Sequence, residues 1–74
     1  MAQACVRILR ANRNEPLSPA EIAHRGIAMS VFRVPRGRTF GYLSQLIQST
    51  MYNDAHYSSD PMFVHCGYRT LKSR

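Results

Sequence analysis

Seventy-four residues amount to one small domain with a compact core, because a short chain buries a smaller share of its surface than a long one. Ten Lys+Arg against four Asp+Glu leave a net charge of +6, which points to polyanionic partners: nucleic acid, acidic membrane surfaces or acidic proteins. No apolar run approaches the roughly 18 residues of a transmembrane helix, and arginine interrupts the opening Met1 to Arg7 before a secretory leader can form. Nine of the ten cations are arginine, Lys72 being the exception. A guanidinium offers a flat fork of donors that matches phosphate oxygens and the edge of guanine, so the bias favours nucleic acid. Cys5 and Cys66 allow at most one bridge, and a reducing cytosol with both thiols free is expected.

The first predicted element is a helix from about Ala4 to Asn12. Cys5, Ile8 and Leu9 form its apolar stripe, with Asn12 on the same line, and Arg7 and Arg10 lie off it. It ends before Pro16, since the residue preceding a proline avoids helical geometry. A second helix starts at Ser18-Pro19-Ala20-Glu21: hydroxyl at N-cap, proline at N1 and carboxylate at N3 make a capping box. Leu17 and Ile22 are placed to staple this end, and the helix runs through Ala23 towards Ile27, weakened by Gly26.

Met29 to Arg38 reads as a linker with a turn. Val31, Phe32 and Val34 favour β structure, and Pro35-Arg36-Gly37-Arg38 is a flexible, exposed cationic stretch. A third helix is predicted from Thr39, its N-cap, to about Asn53. Leu43, Leu46, Ile47, Thr50 and Met51 make its inner face, with Phe40 and Tyr42 near its start. Gln45, Gln48 and Ser49, with Ser44 beside them, make the other face. Amides and hydroxyls there have two readings, plain solvation or pairing with base edges and phosphates. Ser58 to Pro61 is a turn, and Met62–Cys66 and Tyr68–Leu71 around Gly67 form a hairpin, with Phe63 and Tyr68 expected on one packed face. Residues 70–74 read as a frayed tail.

The fold class expected is mainly α with a small β-hairpin, a single winged helix-turn-helix domain over residues 1–74: three helices and a C-terminal wing. In such a layout helix 39–53 lies in the major groove and the wing touches the backbone. The chain also resembles the HARE-HTH domains. The resemblance runs over nearly the whole chain: Pro16 to Ala23 match a "pL…eIa" pattern, followed by Gly37-Arg38-Thr39, Met51-Tyr52-Asn53-Asp54 and Phe63-Val64. It departs at Phe40, where the family carries proline, and in the spacing from Thr39 to Tyr52, which is about three residues longer here. That resemblance implies DNA binding or sensing, as an accessory to another activity.

Chemistry of other kinds has little support. His24, His56, His65, Cys5 and Cys66 lack the paired spacing of a zinc site, and neighbours such as His65 and Cys66 point to opposite faces of a strand. Glu21 is committed to its cap, and Asp54 and Asp60 flank a loop with His56. Neither an oriented nucleophile nor a phosphate-cradling glycine loop is present, so no enzyme activity, cofactor or small-molecule substrate is expected. Tyr42, Tyr52, Tyr57 and Tyr68 do not form the platform on adjacent strands that single-strand stacking needs; Phe32 and Phe63 read as core, and Tyr42 and Tyr57 stay open.

The function expected is duplex DNA binding by a regulatory or accessory module, cytoplasmic and associated with nucleoid or nucleus. Arg36, Arg38, Thr39 and Tyr42 would grip phosphates at the helix entrance. Gln45, Gln48 and Ser49 would face base edges, and Arg69 and Lys72 would contact backbone. The alternatives are a protein-interaction module of the same fold docking on an acidic partner, and a binder of structured RNA.

Overall fold

A computed structural model describes residues 1–67 and 69–74. Three helices, α1 (Ala2–Ala11), α2 (Pro19–Ala28) and α3 (Phe40–Tyr57), precede a hairpin of β1 (Phe63–His65) and β2 (Leu71–Ser73). The expected face of α1 is the buried one: Cys5, Ile8 and Leu9 are fully covered. Arg13 and Asn14 follow with φ of 58° and 55°, the left-handed region that asparagine tolerates better than most residues. That geometry lets the Asn14 N–H donate to the Leu9 carbonyl at 2.7 Å and turns the chain out of the helix ahead of Pro16.

The capping box of α2 forms as its residues require. The Ser18 hydroxyl accepts the Glu21 N–H at 3.2 Å, and the Glu21 carboxylate accepts the Ser18 N–H at 3.0 Å. Leu17, one residue earlier, is buried and exchanges both backbone hydrogen bonds with Leu71, each 3.0 Å. The staple position is therefore also a single-residue β-bridge onto the last strand. Gly26 is where the linker closes back on α2. Its carbonyl accepts the Val31 and Phe32 N–H groups at 2.8 and 3.0 Å, and Val31, Phe32 and Val34 pack half-buried against the core.

Thr39 caps α3, its Oγ1 accepting the Tyr42 N–H at 3.2 Å. Leu43, Ile47 and Met51 are its buried residues, one side of a helix at four-residue steps. Leu46, expected inside, is 37 % exposed, because the buried line passes through Leu43 and Ile47 and leaves it on the flank. The helix also continues to Tyr57, four residues beyond the expected Asn53. The Asp54 carboxylate accepts the Met62 and Phe63 N–H groups at 2.7 and 3.0 Å, so a residue expected at the edge of a loop is a helical anchor for the strand.

The larger correction is at the C-terminus. Residues 70–74 are not a frayed tail: β2 pairs antiparallel with β1 in the register Phe63↔Ser73, Val64↔Lys72 and His65↔Leu71. Leu71 and Ser73 are buried while Lys72 between them is not, the alternation of a strand with one covered face. Phe63 is buried on that face; the pairing expected for Tyr68 lies outside the described residues. Leu17, Ile22, Ala23, Phe63 and Leu71 join the residues of α1 and α3 in one core. Burying a side chain such as Phe63 contributes about 1.5–3 kcal/mol. Within this core the thiol of Cys5 is pushed up to about 11 by burial.

Candidate nucleic-acid interface

Packing of α3 against α1, α2 and the hairpin leaves one long side of the helix facing out. Gln45, Gln48 and Ser49 are all exposed there, with Ser44 half-buried beside them. At 3.6 residues per turn, Gln45 and Ser49 lie one turn apart, and Gln48 lies towards α2. This 18-residue helix is about 27 Å long at 1.5 Å per residue.

Two cations flank that side. At the entrance, the Arg38 guanidinium stands over the Tyr42 ring, 4.6 Å from its centroid. It comes from a tight turn in which the Pro35 carbonyl accepts the Arg38 N–H at 2.9 Å and Gly37 adopts φ +76°, a conformation that glycine takes without strain. Such a stack is worth about 0.5–1 kcal/mol at an exposed site and narrows the space the guanidinium samples. Beside it the His24 and Phe40 rings meet, centroids 4.2 Å apart, joining α2 to the first turn of α3.

The second cation is Arg69 in the hairpin turn. With Ser18, Pro19, Ala20, Ser44, Gln48 and Tyr52 it lines a groove of about 520 Å³ between the start of α2, the flank of α3 and the hairpin. The Oγ of Ser44 is buried, with no hydrogen-bond partner among the described residues. The carboxylate of Glu21 beside this groove is held below its usual range, first by the hydrogen bond from the Ser18 N–H. No protein-family model matches the chain, and neither does a characterised protein or a solved structure.

The expected site residues thus divide into two groups. Arg38, Thr39, Tyr42, Gln45, Gln48, Ser49 and Arg69 lie along α3 or in the groove beside it. Arg36 lines a separate shallow concavity with Arg33, Val34 and Pro35, and Lys72 pairs with Val64 on the outer side of the hairpin. Thr39 has a prior task as cap, since its hydroxyl oxygen is taken by the Tyr42 N–H. Sequence reasoning missed Ser18, Ser44 and Tyr52 as groove residues. Spacing on α3 puts Ser44, Gln48 and Tyr52 in line at four-residue steps, but their meeting with the start of α2 is a tertiary fact. No three metal-ligating side chains converge among the described residues, and no helix there is long and apolar enough to cross a membrane.

Proposed function

We propose that this chain is a winged helix-turn-helix module that binds duplex DNA, with the outer side of α3 in the major groove and the β1–β2 hairpin as the wing. The observation that carries the reading is the bracketing of an uncharged amide and hydroxyl surface, Gln45, Gln48 and Ser49, by two arginines: Arg38 over Tyr42 and Arg69 in the groove beside Gln48. Amides pair with adenine edges and arginines with guanine or phosphate, and a B-form major groove about 12 Å wide admits one helix. Supporting the winged-helix reading is the Leu17–Leu71 bridge, which adds a strand residue between the first two helices to the edge of the terminal hairpin. A regulatory or accessory role beside another activity on DNA, as the HARE-HTH resemblance implies, belongs to the same proposal.

The test is a titration of fluorescent duplex at several salt concentrations with wild type, Arg38→Ala and Arg69→Ala. Removing one phosphate-bound cation should lower the slope of log K against log salt by about 0.9. Both variants are expected to bind more weakly and with a shallower slope. A folded wild-type protein that binds no duplex at low salt overturns the reading, and acidic protein partners then become the class to test.

A further inference from the structure

His56 stands in the last turn of α3 and His65 closes β1, nine positions on. Their ring centroids are 5.1 Å apart with planes at 86°. Both side chains are exposed. The ring of Tyr52 stands edge-on to both, at 6.4 Å from His56 and 4.9 Å from His65, and forms a wall on one side of the pair. The spacing does not depend on the loop between them, because the Asp54 carboxylate holds the Met62 and Phe63 amides and so fixes the entry of β1 against α3.

We propose that His56 and His65 form a two-imidazole chelate for a late divalent transition-metal ion, with Cu²⁺ or Zn²⁺ as its probes. Imidazole suits both ions, and copper is the tighter of the two in the Irving–Williams order. With metal–nitrogen bonds of about 2.0–2.1 Å, two ring centres on a tetrahedral ion lie roughly 5 Å apart, the separation these rings already have. Rotation about the terminal torsion of an exposed histidine is broad and nearly free, so turning a nitrogen of each ring towards a common point costs little. No third His, Cys, Asp or Glu joins them among the described residues, and water fills the remaining positions. The site is a reversible clamp between the helix end and the hairpin, unlike a closed structural centre. It stands independently of the DNA-binding reading.

Metal-free protein is titrated calorimetrically with ZnCl₂ and with CuSO₄ for wild type, His56→Ala, His65→Ala and His24→Ala, all first checked for native circular dichroism. One saturable site is expected in wild type and His24→Ala, and none in the other two. Sub-stoichiometric Cu²⁺ should broaden the ring signals of His56 and His65 together in NMR spectra. Zinc should raise the thermal midpoint of wild type and not of His56→Ala or His65→Ala, since an ion that binds only the folded state stabilises it. Absence of saturation, unchanged binding in either single variant, or equal broadening at His24 overturns the site.

Discussion

Asn14 and Ser73 lie 59 positions apart and are joined by three hydrogen bonds: the Asn14 amide nitrogen donates to the Ser73 carbonyl at 2.8 Å, and the Ser73 N–H and hydroxyl donate to Asn14 Oδ1 at 2.9 and 2.8 Å. One side chain in the turn after α1 therefore holds the last strand against the helical layer. Asn14→Ala should destabilise the fold by about 2 kcal/mol, since it leaves covered polar groups on Ser73 unpaired and puts alanine at a positive φ. Asn14→Gly, which relieves only the backbone part, should recover a fraction of the loss. Denaturant unfolding of the three proteins measures this, and equal midpoints for wild type and Asn14→Ala would refute it.

The capping box supplies a pH signature. The carboxylate of Glu21 is lowered from 4.5, chiefly by the Ser18 N–H. Its ionised form thus adds stability above that ordinary value, and the gain is lost as pH falls through the lowered folded value. Glu21→Gln keeps a group able to accept the Ser18 N–H but cannot titrate. Its stability should lie somewhat below wild type near neutrality, fall less steeply below about pH 4.5 and converge with wild type in acid. Parallel acid limbs would show that the carboxylate contributes nothing. Ser18→Ala removes the acceptor at N-cap and should cost about 1 kcal/mol at neutral pH.

Gly26 opposes simple helix propensity. Alanine in a helix interior is favoured over glycine by about 1 kcal/mol, yet a Cβ at Gly26 would fall 2.3 Å from Phe32 Cδ2 and 2.9 Å from Ile8 Cδ1. Overpacking of this kind costs about 1–3 kcal/mol, so Gly26→Ala should lower stability. In a Phe32→Ala background the same substitution should cost less, because only the contact with Ile8 remains. A double-mutant cycle by thermal unfolding checks the coupling, and additivity would show that the ring yields freely.

The base-reading assignment on α3 separates from the phosphate-binding one. Gln45→Ala with Gln48→Ala should erode preference between a favoured duplex and a scrambled one by roughly 1–3 kcal/mol for each bidentate pair removed, with the salt slope unchanged. Competition binding at two salt concentrations reads both quantities. A wild type without preference, together with a silent glutamine variant, would make the domain a sequence-neutral clamp.

The starts of α2 and α3 and the inner line of α1 were legible in the residues alone. Their causes lie within about four positions: Ser18 with Glu21, Thr39 with the Tyr42 amide, and Cys5 with Ile8 and Leu9 on one helical side. The cationic turn before α3 was legible for the same reason, since Pro35, Gly37 and Arg38 close it locally. Everything settled by a distant partner was hidden. Leu71 and Ser73 look like a charged tail until Leu17 and Asn14 meet them, and Asp54 only flanks a loop until the Met62 and Phe63 amides reach it. Leu46 fits the apolar pattern of α3, but packing covers only the line through Leu43, Ile47 and Met51. The groove with Arg69 and the His56–His65 pair likewise exist because α2, α3 and the hairpin share one core. Hydrogen bonds closed within one helical turn are written in neighbouring residues, whereas a strand this short has no stable form until its pairing partner and covered face are in place.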